Sequence, residues 1–321
     1  MPGNHLIVGL GGTGGRIIRE IRKTLASVPE ERLNGTHFEF LYVDSDGAMM
    51  KPDDPSWRVL GKNVQLERRQ TLKIGGMTTK PILENVDSYP NLKSWLGDMA
   101  QMSRFLDDNV NPQAAAQRRR FGRLLFANSA AEFVRSAQQL KRALATASNK
   151  EQITVHVCCG VAGGTGGGSI IDAVAQLRKH VAPNAVASST QGDQVSDDRV
   201  LLYLVLPEQL PPGGWDSGFY HANGFATLAE LNGLVTGSYR PADVYGDGSP
   251  MALPQPAFNG AYLIQNRNMA GRVIDTEHAL PQIIADYLFQ KTVAAQTGEI
   301  LRAENAENGD FADELSVDGV N

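Results

Sequence analysis

The 321-residue chain is long enough for one large domain or two modest ones, and its 42% hydrophobic and 20% charged residues exclude global disorder. A net charge of −5 excludes the broad basic surface used for nucleic acid, so no direct nucleic-acid partner is expected. The start MPGNHLIVGLGG lacks the features of a signal peptide, and no apolar stretch reaches the length of a membrane span. The two cysteines, Cys158 and Cys159, are strand neighbours facing opposite ways, which implies no disulfide and a reducing, cytoplasmic setting.

In chain order, the apolar run His5–Val8 predicts a strand ending in glycines. A helix follows, with Ile17, Ile18, Ile21 and Leu25 on one face and Arg16, Arg19, Glu20 and Arg22 on the other. Phe38–Val43 predicts a second strand that ends in the acidic turn Asp44-Ser45-Asp46. Residues 51–112 show no clean periodicity, and Ala114–Ala147 is helical by composition with a break near Asn128-Ser129. The opening pattern then returns: strand Ile153–Cys159, glycine loop 160–169, amphipathic helix Ile170–His180. Val200–Leu206 is a fully apolar strand, as in a parallel sheet covered on both faces. Phe225–Leu234 predicts a helix, Ala261–Gln265 a strand, and Glu277–Ala303 one long helix before an acidic tail. Strands alternating with helices imply a doubly wound, mostly parallel α/β fold.

Two segments carry chemistry. In Gly9-Leu10-Gly11-Gly12-Thr13-Gly14-Gly15-Arg16 a strand-to-helix turn without side chains lets backbone N–H groups and a helix N-terminus approach an anion. Gly9-x-Gly11-x-x-Gly14 fits the dinucleotide fingerprint, with Asp44 or Asp46 after the second strand as the ribose-binding acid, so an NAD- or FAD-binding oxidoreductase is one alternative. There is no Walker lysine. The second loop, Gly160-Val161-Ala162-Gly163-Gly164-Thr165-Gly166-Gly167-Gly168-Ser169, lies in the same strand-to-helix setting and is left unexplained by a single pyrophosphate. Two cradles suit a di- or triphosphate gripped from both sides. Thr165 offers a hydroxyl to a phosphate oxygen, and Ser169 is placed as a helix cap.

GVAGGTGGGS resembles the tubulin/FtsZ signature G-G-G-T-G-[ST]-G, and GLGGTGGR resembles that family's first glycine loop. The resemblance implies a GTPase domain in which Gly11, Gly12, Thr13, Gly14 and Gly15, with Gly163, Gly164, Thr165, Gly166 and Gly167, hold the phosphates of GTP or GDP. FEFLYVDSDGAMM is similar to the second strand and acidic turn, which makes Asp46 the residue near the phosphates and Mg2+. AAAQRRRFGRLL is similar to the γ-phosphate loop, on Ala115, Ala116 and Gln117, with alanines where glycines are usual. Arg16 stands where FtsZ carries a base-contacting Asn. YLIQNRN resembles the sixth-strand end, where Asn266 would hydrogen-bond guanine. NGDFADE resembles the catalytic loop, so Asn308, Asp310 and Asp313 would act on the neighbouring subunit's GTP.

The resemblance implies a GTP-binding domain over 1–275, a long central helix over 276–307, and a catalytic acidic loop over 308–321 leading into a second domain that this sequence lacks. A carboxylate brought to a polyphosphate only on assembly couples hydrolysis to head-to-tail stacking, so the expected partner is the chain itself and filaments are one outcome. A scaffold that binds GTP without hydrolysing it is the alternative of a different class. Plainer readings exist for several residues. Asp44 and Asp46 can merely cap a turn, Arg118, Arg119, Arg120 and Arg123 can face phosphate or solvent, and the six histidines show no metal-ligand spacing.

Overall fold

The computed structural model describes residues 3–33, 35–51, 53–76, 80–97, 115, 117–185, 198–211, 218–268 and 270–293. Its frame is a six-stranded sheet formed by β1 (Asn4–Leu10), β2 (His37–Asp44), β5 (Thr71–Lys73), β6 (Thr154–Gly160), β7 (Arg199–Val205) and β8 (Gly260–Ile264). The order is β5-β2-β1-β6-β7-β8 and every neighbouring pair is parallel. A two-stranded antiparallel ribbon, β3 (Arg58–Val59) with β4 (Lys62–Asn63), stands apart. Among the described residues the α-helices are α1 (Gly11–Ala26), α2 (Lys80–Glu84), α3 (Pro90–Leu96), α4 (Arg119–Asn128), α5 (Ala130–Ser148), α6 (Gly164–His180), α7 (Tyr220–Thr236) and α8 (Ala279–Thr292).

Alternating side chains build a core on each face of the sheet. Leu6, Val8, Leu10, Val157 and Cys159 join Phe121, Phe133, Ile170 and Val174 on the face covered by α4, α5 and α6. Ile7, Tyr42, Cys158 and Tyr203 join Ile17, Ile18 and Ile21 of α1 and Leu280, Ile284 and Leu288 of α8 on the other. This second face also holds a polar seam. His5 Nδ1 lies 2.9 Å from His156 Nε2, and His156 Nδ1 lies 3.3 Å from the Tyr203 hydroxyl. Tyr203 stacks on Tyr262, whose hydroxyl is bonded by Lys291. Burial lowers the His5 pKa to about 4 and pushes His156 well below the usual range, with His5 and Lys291 adding to the effect.

The strand order reverses between β1 and β6, whose neighbours in sequence lie on opposite sides. A crevice outside the carboxyl ends of the strands at such a switch point is where open α/β sheets bind ligands, and both glycine segments lie there. Two expectations need correction. The glycines were expected to form loops, yet α1 starts at Gly11 and α6 at Gly164, so the loop predicted over 160–169 is mostly helix. Ser169 is consequently not a cap but a buried residue inside α6, its hydroxyl without a partner among the described residues. The break expected near Asn128-Ser129 falls between α4 and α5. The described residues between 51 and 97 hold short strands, single turns and two short helices, which is why they show no period. Of the long helix expected to reach Ala303, the described part is α8.

Candidate nucleotide-binding site

The site begins with two helix N-termini placed side by side. β1 and β6 are hydrogen-bonded neighbours with Leu10 opposite Cys159, and each strand leads into a glycine-rich helix. A Cβ on Gly11, whose φ is +70°, would lie 3.1 Å from the Gly166 nitrogen, so the two first turns are in contact. Neither N-cap, Leu10 or Gly163, supplies a side-chain acceptor, and neither first turn holds an acidic residue. In α6 the helical ladder opens with Gly167 N–H donating to the Gly163 carbonyl (3.1 Å), so the donors of Gly164, Thr165 and Gly166 precede it. Two uncapped, uncompensated helix starts concentrate positive potential in one crevice.

Glycine is demanded here for two different reasons. A Cβ on Gly15 would sit 2.5 Å from the Tyr42 ring, one on Gly14 2.7 Å from the Gly9 backbone, and one on Gly166 2.6 Å from the Gly160 carbonyl. Gly167 and Gly168 are pressed against Val161 and against Arg119 and Arg123. These positions are small so that the helices can pack against their strands and against α4. Gly12 and Gly163 are different, with nothing nearer than 3.9 Å to an added Cβ. They face open space at the mouths of the two helices. The side chain of Thr13 lies between the loops, 2.8 Å from where a Cβ of Gly160 would be.

Polar contacts bind the surrounding segments together. The Thr165 hydroxyl bonds the Ser45 hydroxyl (2.7 Å), which also accepts from the Ala115 N–H (2.8 Å). Asp44, not Asp46, is the buried acid of the turn. Burial pushes its carboxyl above the usual range, against hydrogen bonds from Tyr42, Asp46 N–H, Thr165 and Ser45 N–H that lower it. Asp46 is exposed and accepts from the Ala48 N–H, so its side chain closes a turn at the crevice edge.

Three of the four arginines, Arg119, Arg120 and Arg123, are tied to protein partners. Arg119 donates to the Gly167 carbonyl and to Thr227 and pairs with Glu230. Arg120 donates to the Leu96 carbonyl. Arg123 forms a two-pronged pair with the fully buried Asp172 (2.8 and 2.9 Å) and lies over Trp95. Arg16 reaches Glu277 (3.3 Å), tying α1 to the approach of α8. Asn266 follows β8 at the same edge of the sheet, half-buried, its carbonyl accepting from Ile274 N–H.

Residues not foreseen from the sequence lie on α7. Asn223 donates to the carbonyls of Gln117 (2.7 Å) and Ala162 (3.1 Å), and Thr227 donates to the Val161 carbonyl (3.0 Å). With Glu230 they occupy positions i, i+4 and i+7, one face of a helix whose only charge is Glu230. Polar residues repeating at helical spacing, Asn223, Thr227 and Glu230, are the signal that would have found them. Ala116, Asn308, Asp310 and Asp313 lie outside the described residues. Among the described residues no group of three or more His, Cys, Asp or Glu is placed to hold a metal, and no helix is long and apolar enough to cross a membrane.

A doubly wound parallel sheet with paired glycine-rich helix starts at its switch point defines an open α/β domain. The chain belongs to the tubulin/FtsZ-like proteins: residues 6–316 match the family described as "Tubulin like". The match favours the two-loop reading over the dinucleotide one. Among solved structures it is similar to CetZ from Methanosaeta thermophila strain DSM 6194, at 12% identity and a TM-score of 0.53, over 99% of this chain and 60% of that one. It is also similar to CetZ2 from Haloferax volcanii in a GTPγS-bound protofilament, at 14% identity and a TM-score of 0.47, over 91% and 59%. The chain therefore spans about 60% of the length of these relatives. No curated protein is significantly similar in sequence.

Proposed function

We propose that the chain binds GTP and GDP in the crevice between α1 and α6 and hydrolyses GTP when a second copy completes the site. The observation that carries this reading is the pair of uncapped helix starts in contact, with open space before Gly12 and Gly163 that an anion could share with the backbone N–H groups. Asn266, at the sheet edge, is the candidate guanine reader. Bound with the nucleotide, Mg2+ would neutralise phosphate charge; such an ion keeps several waters and needs one or two carboxylates, and the exposed Asp46 is the candidate. Asn308, Asp310 and Asp313 of one copy would orient water at the nucleotide of the next, in a head-to-tail contact that permits filaments.

A binding-only scaffold is the second reading, and one observation favours it. The Ala115 N–H is already given to Ser45, in the segment where the resemblance implies contact with the terminal phosphate. A fluorescent GTP analogue should be displaced by GTP and not by ATP or NAD; displacement by NAD alone would overturn the nucleotide assignment. Asp310→Ala should slow turnover without weakening GTP binding. Equal, near-zero turnover in both proteins would favour the scaffold.

A further inference from the structure

We infer that Asn223 is a positioning residue for the terminal phosphate, an inference that rests on the nucleotide reading above. Both hydrogens of its amide nitrogen are committed, one to the Gln117 carbonyl at 2.7 Å and one to the Ala162 carbonyl at 3.1 Å. No donor remains for a ligand, so Asn223 acts through the backbone it holds. In a trans peptide the carbonyl and the following N–H point in opposite directions. Holding the Ala162 carbonyl toward α7 therefore turns the Gly163 N–H away from α7, at the residue with open space before it. The same amide anchors Gln117, so one side chain sets the spacing between the second glycine segment and the segment that meets the terminal phosphate. The single hydroxyl hydrogen of Thr227, one turn on, is shared between the Asn223 carbonyl (2.8 Å) and the Val161 carbonyl (3.0 Å), close beside the same segment. An anion site whose donors are fixed before the ligand arrives binds without reorganising. Loss of Asn223 should be felt mainly by the nucleotide that carries the extra phosphate.

The test compares GTP and GDP affinities, with magnesium present, for the unsubstituted chain, Asn223→Ala and Asn232→Ala. Asn232 lies on the exposed face of the same helix and serves as the control. Asn223→Ala should bind GTP about tenfold more weakly, with a much smaller loss for GDP, a size appropriate to one or two hydrogen bonds. Removing both hydrogen bonds should also lower the melting temperature of the free protein relative to Asn232→Ala, so the GTP-to-GDP affinity ratio is the readout that separates positioning from that general loss. Equal loss of both nucleotides, or an unchanged GTP-to-GDP ratio, would overturn the proposal alone. Absence of guanine-nucleotide binding by the unsubstituted chain would overturn the function reading and this inference with it.

Discussion

Gly12→Ala and Gly14→Ala are expected to separate binding from folding, although the two positions lie in the same turn of α1. At position 12 the added methyl meets nothing nearer than an Arg16 nitrogen at 3.9 Å. Replacing a helical glycine by alanine removes backbone freedom from the unfolded chain, so the free protein should gain up to about 1 kcal/mol. The methyl then occupies the space before the helix mouth, and GTP affinity should fall at least roughly tenfold, or about 1.4 kcal/mol. At position 14 the methyl would lie 2.7 Å from two backbone atoms of Gly9, more than half an ångström inside ordinary contact, and backbone cannot swing aside as a side chain can. The overlap should cost about 1–3 kcal/mol or more of folding stability. Urea unfolding of the free proteins and titration with a fluorescent GTP analogue read the two quantities separately. A Gly12→Ala protein that binds like the unsubstituted chain, or a Gly14→Ala protein with an unchanged urea midpoint, would refute the division of the glycines into packing and ligand positions.

Three further outcomes follow from buried polar groups. Asp172→Asn leaves the Arg123 guanidinium buried without its counter-charge and should cost about 3–5 kcal/mol in chemical denaturation, whereas Asp172→Leu combined with Arg123→Met should recover most of it. His5 and His156 have folded pKa values below that of free histidine, so their contribution is full above pH 6.5 and is lost as pH falls below it, for His5 between 6.5 and about 4. For His5 alone the loss is on the order of 3 kcal/mol, and a His156→Gln variant should show a flatter urea midpoint between pH 7 and 4.5. Asp44 has the opposite sign: its folded pKa is raised, so the protein loses stability as pH rises through the carboxylate range. Asp44→Asn should raise the melting temperature at neutral pH, with the advantage gone in acid; an equal gain at both pH values would show that charge is not its origin.

Five of the six strands of the sheet were legible as apolar runs, and Cys158 and Cys159 do point into different cores; β5, three residues with only Leu72 buried, is too short and polar to show as one. The starts of α1 and α6 were not. Glycine has poor helix propensity, so Gly164–Gly168 looked like a loop, but the close approach of α4 and of the neighbouring strands demands small residues there and packing outweighs propensity. The arginines of RRRFGR were legible as a cluster and not as individual roles, since Glu230, Asp172 and the Leu96 carbonyl come from elements far away in sequence. Choosing Asp46 over Asp44 followed the family motif; burial assigns the two acids different environments that motif spacing does not encode. Asn223 was legible as part of a polar stripe but not in its role, because its partners are carbonyls and carbonyls have no sequence signature.

The adjacent cysteines give the molecule two internal reporters. Cys159 is sealed on the side of the sheet covered by α4–α6 and Cys158 on the side covered by α1 and α8, and burial lifts the Cys159 thiol to about 12 and Cys158 higher still. Neither presents a thiolate while its layer is closed, so alkylation in dilute denaturant is limited by how often that layer opens. One peptide bond thus separates two clocks, and the order in which they are modified tells which half of the sandwich comes apart first.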